Sequence, residues 1–221
     1  MDFLRRKYTL GEELFNAITH GIGALLSVAG CVVLLVRCHQ LGDSVAAVSS
    51  AIYGTTLIIL YTMSTLYHAL ANEKAKAVFR VFDHVTIYLL IAGTYTPYTL
   101  ACLGGALGWT LFGIVWAAAI VGIVFSSISL RRFQKLSMIC YIAMGWVCVL
   151  AFTQIVNSLS PAAFGWLLAG GIIYTVGGII YALKVPLFDA KHKNFGSHEI
   201  FHLFVMAGSA CHFILMYVYI A

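Results

Sequence analysis

Residues 108–128 read GWTLFGIVWAAAIVGIVFSSI and contain no charged side chain. An α-helix rises about 1.5 Å per residue, so a helix of this length extends roughly 30 Å. That is the thickness of the hydrocarbon core of a bilayer, which a helix crosses with about 20 mainly apolar residues. The stretch therefore predicts a transmembrane helix.

Six further stretches of the same kind occupy most of the chain. The seven predicted spans are about 17–37, 44–66, 82–101, 108–128, 136–155, 162–183 and 198–219. The composition agrees, because 62% of the 221 residues are hydrophobic and 10% are charged, against about 45–50% and about 25% in soluble domains. These values exclude a disordered chain, a basic nucleic-acid binder and an ordinary soluble enzyme. We predict an all-α, polytopic membrane protein in which residues 1–221 form a single integral membrane domain.

The positive charges predict the orientation of this domain. Of the 13 Lys and Arg residues, all but Arg37 lie before the first span or between spans two and three, four and five, or six and seven. Because Lys and Arg collect on the cytoplasmic side, the amino terminus is predicted inside and the carboxyl terminus outside. This is the reverse of a G-protein-coupled receptor. The residues concerned are Arg5, Arg6, Lys7, Lys74, Lys76, Arg80, Arg131, Arg132, Lys135, Lys184, Lys191 and Lys193.

Five polar residues are predicted to lie at one depth of this membrane. Ser64 and His68 end the second span and Asp83 begins the third. His198 and His202 begin the seventh. In the predicted topology all three positions are cytoplasmic. Ionisable groups inside a span are costly and mark candidate functional sites.

The spacing of these residues favours a metal site. Residues four apart share a helix face, about 6 Å apart along the axis, so His198 and His202 can bind one ion. With His68 as a third ligand, a tetrahedral zinc would keep one open position, as in catalytic zinc sites. Nitrogen ligands without a nearby thiolate favour Zn²⁺. Asp83 and Ser64 are then the candidate catalytic residues. Asp83 would hold a water molecule with its carboxylate and accept a proton from it.

Other readings stay open for single residues. Any one histidine, taken alone, fits an interhelical hydrogen-bond partner better than a ligand, and Asp83 alone fits a helix-capping residue. Residues 198–202 also match the HExxH pattern of zinc proteases. Here that pattern opens a membrane span, and Glu199 is predicted to face the headgroups or the loop. Intramembrane proteolysis is therefore disfavoured.

A second polar stripe lies on the first helix. Glu13, Asn16 and His20 follow the spacing i, i+3 and i+7, which places them on one helix face at the cytoplasmic end. These side chains either line the same cavity or hydrogen-bond to neighbouring helices, and we favour the second interpretation. His212 lies about 21 Å along its helix from His198, too far for the same ion.

Four motifs give the chain a resemblance to a known family. They are EELFNAITHGIGA (12–24), STLYHA (64–69), FDHVTIYLLIAGTYTP (82–97) and HEIFHLFVMAGSACHF (198–213). With these motifs in this order, the chain resembles the hemolysin III family, the bacterial branch of the progestin and adiponectin receptor family. The resemblance covers essentially the whole chain.

The resemblance implies a function as well as a fold. It implies a Zn²⁺ site held by His68, His198 and His202, with Asp83 reaching the ion through water and Ser64 beside it. It also implies a multi-pass protein of the cytoplasmic membrane whose partners are membrane lipids. The implied role is lipid homeostasis through zinc-dependent hydrolysis of a lipid amide. The alternatives are a non-enzymatic lipid sensor with structural zinc and a cytolytic, pore-forming protein.

Overall fold

The part of the chain that the structure describes contains seven helices long and apolar enough to cross a membrane. The computed structural model describes residues 8–183 and 195–220, and these residues contain no β-strand. Each of the seven membrane-crossing segments contains one predicted span, so the all-α, seven-helix prediction is confirmed. The third, fifth and seventh segments continue past the regular α-helix as π or 3₁₀ turns and, in the fifth, a further short helix. The helices are α1 (Leu10–Leu41), α2 (Ser44–Ala69), α3 (Glu73–Pro97), α4 (Gly105–Ile128), α5 (Leu130–Gly145), α6 (Pro161–Leu183) and α7 (Ser197–Leu215).

Polar caps begin several of these helices. The Thr9 side chain accepts from the backbone N–H of Glu12, whose carboxylate accepts in return from the N–H of Thr9. This reciprocal pair satisfies two donors that the helix end leaves unpaired. It starts α1 at Leu10 rather than near residue 17, and the Asn72 cap likewise starts α3 at Glu73 rather than near residue 82. Both helices therefore extend past the predicted spans and carry polar residues of the site.

The fifth span is interrupted, which the sequence did not predict. After Gly145 the chain forms a 3₁₀ segment, Val147–Ala151, and then a short helix, Phe152–Ser158. The Tyr95 hydroxyl donates to the carbonyl of Gly145 at 2.8 Å and accepts from the N–H of Cys148 at 2.9 Å. Backbone groups at membrane depth need such partners because no water satisfies them. The α3 tyrosine thus stabilises the break in α5.

Glycines let the first three helices approach closely. A side chain at Gly54 would collide with Cys31 across the α1–α2 interface. A side chain at Gly93 would collide with Thr56 across the α2–α3 interface. Small residues at helix contacts are typical of packing in lipid. These glycines allow α1, α2 and α3, which carry residues of the site, to pack closely against one another.

The orientation of the chain in the membrane stays a prediction. The basic residues before Tyr8 and those at 184, 191 and 193 lie outside the described residues. The assignment of residues 1–221 to a single domain is also a prediction. The seven helices themselves identify a multi-pass membrane protein.

Candidate metal centre

Three histidines from two distant parts of the chain meet inside the helix bundle. His68 lies in the last turn of α2, and His198 and His202 lie in the first two turns of α7. Each offers a ring nitrogen, and the three nitrogens all lie within 4.8 Å of one another. The three residues are 1–3% exposed. The structure thus brings together the three predicted ligands.

The spacing of two ring nitrogens fits a shared ion. Nε2 of His68 lies 3.2 Å from Nε2 of His198. Two nitrogens bound to a tetrahedral zinc at about 2.0–2.1 Å lie roughly 3.3–3.4 Å apart. The two imidazoles therefore need to move very little to bind one ion.

A carboxylate fixes the orientation of His68. Oε2 of Glu13 lies 2.8 Å from Nδ1 of His68, and Oε1 of Glu13 lies 2.8 Å from Nζ of Lys76. A carboxylate only accepts, so Nδ1 of His68 carries a hydrogen, and in the neutral ring Nε2 then has the lone pair. That is the tautomer in which Nε2 can bind a metal ion. Lys76 also donates to the carbonyl of Tyr67 at 2.9 Å, at the end of α2.

Two aromatic rings lie against the histidines. The ring of Tyr8 stacks on His198 with 5.0 Å between centroids and meets His68 edge-on at 5.4 Å. The ring of Tyr181, near the end of α6, lies 5.4 Å from His198. These rings contribute to the low exposure of the site.

The first helix contributes more than Glu13. The His20 ring stacks on the His202 ring, with 3.6 Å between centroids and 13° between planes. Nδ2 of Asn16 donates to Oε1 of Glu199 at 2.7 Å. The other oxygen of Glu199 accepts from the backbone N–H of Gly196 at 2.7 Å. Glu199 is 1% exposed, so the expectation that it faces the headgroups or the loop was wrong. The carboxylate turns inward because it stabilises the first turn of α7 and because Asn16 gives it a buried donor.

The two candidate catalytic residues lie near this centre but outside the three-nitrogen group. Ser64 is 1% exposed, one turn before His68. No described protein atom hydrogen-bonds to its hydroxyl. The Asp83 side chain is 11% exposed, and its carboxylate lies 3.5 Å from Nδ1 of His84. Asp83 lines a cavity together with His198 and His202.

This cavity is polar at one end and apolar along most of its length. Its volume is about 230 Å³, and its walls come mainly from α3, α5, α6 and α7. The lining follows α3 from Asp83 and reaches Tyr98, the first residue after the helix, a distance of roughly 22 Å. Apolar and aromatic side chains, among them Ile87, Leu90 and Phe164, line most of it. The lining thus combines two histidines of the centre, His198 and His202, with a mainly apolar wall.

Known proteins resemble this chain over nearly its whole length. A family model described as haemolysin-III related matches residues 8–213. The chain belongs to this family. It is 44% identical over 210 residues to hemolysin-3 of Bacillus cereus, an alignment that covers 95% of this chain and 92% of the relative. It is 43% identical over 212 residues to the hemolysin-3 homolog of Bacillus subtilis (strain 168), covering 96% of each chain. More distantly, it is 26% identical to the human monocyte to macrophage differentiation factor, covering 98% of this chain and 87% of that protein.

The family membership extends over all described parts of the centre. The matched residues include the three histidines of this haemolysin-III related protein, together with Ser64 and Asp83. The three contacts that α1 makes with the centre were not predicted, those of Glu13 with His68, of Asn16 with Glu199 and of His20 with His202. The signal in the sequence was the polar stripe on a helix that is otherwise apolar. The spacing of Glu13, Asn16 and His20 predicts their depth in the membrane. It does not predict which helices they contact.

Proposed function

We propose that this protein is a zinc-dependent hydrolase of a lipid amide in the cytoplasmic membrane, and that it serves membrane lipid homeostasis. The observation that carries the proposal is the junction of the three-histidine centre with the long apolar cavity. A headgroup amide at His198 and His202 would leave its acyl chain among the apolar side chains of α3, α5 and α6. The proposed partners are therefore membrane lipids.

The donor set supports zinc as the metal. Three imidazole nitrogens are the ligands of several catalytic zinc sites, which keep a fourth position open for water or substrate. The group of potential ligands contains no thiolate. When bound, Zn²⁺ would polarise the amide carbonyl and make a water molecule a better nucleophile at neutral pH.

The residues of the chain supply the other parts of the reaction. In hydrolysis the amide C–N bond breaks, the carbonyl carbon gains the hydroxyl of water and the nitrogen gains its proton. Asp83 is the proposed base that accepts this proton and passes it to the leaving nitrogen, because Asp83 lines the same cavity as His198 and His202. Ser64 is the proposed donor to the carbonyl oxygen, since its hydroxyl has no hydrogen-bond partner among the described residues.

The test is release of fatty acid by purified protein in lipid nanodiscs. Zinc-loaded wild type should release fatty acid from a ceramide-like amide, and a His68→Ala variant should not. His39→Ala is the matched control, because His39 is exposed at the end of α1 and should leave the rate unchanged. Equal release by wild type and His68→Ala would overturn the proposal.

A second candidate is a lipid sensor in which the zinc is structural. The Glu13 contacts favour it, because a carboxylate paired with both His68 and Lys76 ties α1, α2 and α3 together around the metal centre. A sensor predicts that His68→Ala lowers thermal stability and alters the lipid composition of cells. It also predicts that wild type releases no fatty acid in the same assay.

A further inference from the structure

The polar stripe of α1 contacts His68 and His202 directly. It also contacts Glu199, the residue next to His198. We propose that Glu13, Asn16 and His20 are positioning residues for the metal centre, each acting on a different part of it. This inference rests on the proposed binding of zinc. It adds a role to the predicted hydrogen bonding of the stripe to neighbouring helices, which the contacts of Glu13 and Asn16 confirm.

Glu13 acts on His68. Its carboxylate accepts from Nδ1 at 2.8 Å and directs Nε2 towards Nε2 of His198. The carboxylate is itself held by Nζ of Lys76 at 2.8 Å. A carboxylate behind a metal-binding imidazole fixes the ring and raises its basicity.

Asn16 acts on the turn that carries His198. It donates to Glu199 at 2.7 Å, and Glu199 accepts at 2.7 Å from the backbone N–H of Gly196. These two bonds hold the beginning of α7 against α1. Asn16 is fully buried. Loss of its hydrogen bond to Glu199 would leave a buried polar group without a partner, which is destabilising.

His20 acts on His202 by ring stacking. The two rings are nearly parallel at 3.6 Å between centroids. His20 is 3% exposed, and no described protein atom hydrogen-bonds to either of its ring nitrogens. Its flat face therefore limits the orientations open to the His202 ring.

The opposite face of α1 has none of these contacts. Leu14 and Ile18 lie between the stripe residues in sequence and are 52% and 60% exposed. In the membrane such side chains face lipid. Only the stripe is therefore expected to affect metal binding, which makes the rest of the helix an internal control.

The test is zinc affinity of detergent-purified protein, measured by competition with a chelator. Glu13→Gln should weaken zinc binding by about 10–100-fold, the usual effect of losing a partner of a metal-binding imidazole. Glu12→Gln is the matched control, because Glu12 caps α1 at its first turn and Gln preserves that cap. The visible spectrum of the cobalt-loaded Glu13→Gln variant should also change, because the spectrum reports ligand geometry. A purely structural role would lower the melting temperature of the metal-free protein and leave both readouts unchanged.

The other two residues have their own variants. Asn16→Ala should weaken zinc binding in the same assay. His20→Leu should weaken it too, whereas His20→Phe should restore affinity to within a few-fold of wild type, because Phe keeps a flat ring. If His20→Phe binds zinc as weakly as His20→Leu does, the positioning role of His20 is overturned. That result would indicate that His20 is a metal ligand.

Zinc binding by wild type and by the variants distinguishes failure of the proposed function from failure of the positioning role. If wild type binds no zinc, the metal-dependent function fails, and this inference fails with it. If wild type binds zinc and the Glu13→Gln, Asn16→Ala and His20→Leu variants bind it equally well, only the positioning role is overturned.

Discussion

The Nε2 atoms of His68 and His198 lie 3.2 Å apart, although 130 residues separate the two histidines along the chain. Both side chains are buried, and His202 completes the group one turn further along α7. Metal-free imidazoles can share one hydrogen at this distance, whereas a bound ion would join all three rings.

Zinc should stabilise the protein and a chelator should reverse the effect. A ligand at about 100 times its dissociation constant adds about 2.7 kcal/mol to the free energy of unfolding. For a chain of this length that corresponds to a rise of roughly 5–10 °C in melting temperature. Differential scanning fluorimetry of purified wild type, with zinc and then with chelator, measures it. A melting temperature that does not respond to either would contradict zinc binding.

Filling the cavity should block lipid binding without affecting the metal centre. Gly171 lines the cavity, and a Cβ built on it meets no atom within 4 Å. The side chain of Gly171→Leu should therefore occupy space used by the acyl chain, at a cost of about 1–3 kcal/mol. That corresponds to roughly 5- to 150-fold weaker binding of a fluorescent lipid amide.

The same helix offers a control for this variant. Gly165 also has no atom within 4 Å of a built Cβ, but it is exposed on the outer face of α6. Gly165→Leu should therefore bind the lipid as wild type does. Equal lipid binding by Gly171→Leu and wild type, with zinc content unchanged in both, would exclude the cavity as the lipid site.

Much of this site could be predicted from the sequence because the membrane fixes depth. Once the seven spans and their order are known, the rise of a helix places Ser64, His68 and Asp83 at one level, with His198 and His202. The i, i+4 spacing then places each pair on one helix face. The structure brings the three histidines together in a group that could hold a metal ion, and their binding of zinc stays a prediction.

Other features depend on helix rotation and on which helices are neighbours, and sequence spacing does not give these. Nothing in the spacing of Glu13 indicates that it contacts His68 rather than lipid headgroups. The inward turn of Glu199 depends on Asn16, a residue of another helix. The break after Gly145 was missed for the same reason, because the Tyr95 hydroxyl that stabilises it belongs to α3.

Packing at Gly93 should be far less tolerant than at exposed glycines. Gly93→Ala places a methyl group against Thr56 at the α2–α3 interface, and overpacking of this kind costs about 1–3 kcal/mol. Gly113→Ala should be neutral or stabilising by up to about 1 kcal/mol, because Gly113 is exposed with open space around it. Thermal melts of the two variants provide the comparison. Equal melting temperatures would show that the interface relaxes at no cost.

The charge pattern predicts that the metal centre lies at the cytoplasmic side. In a variant whose native cysteines are replaced, Gln40→Cys should react with a membrane-impermeant maleimide on intact cells. Lys74→Cys, in the first turn of α3 shortly after His68, should react only after lysis. Both positions are exposed. The opposite labelling pattern would invert the predicted topology.

The most direct measurement is the zinc content of purified protein, determined by mass spectrometry for wild type, His202→Ala and the exposed-site control His39→Ala. We predict stoichiometric zinc in wild type and in His39→Ala, and loss of most of it in His202→Ala. Equal zinc content in wild type and His202→Ala, or no zinc in wild type after reconstitution, would contradict the three-histidine centre.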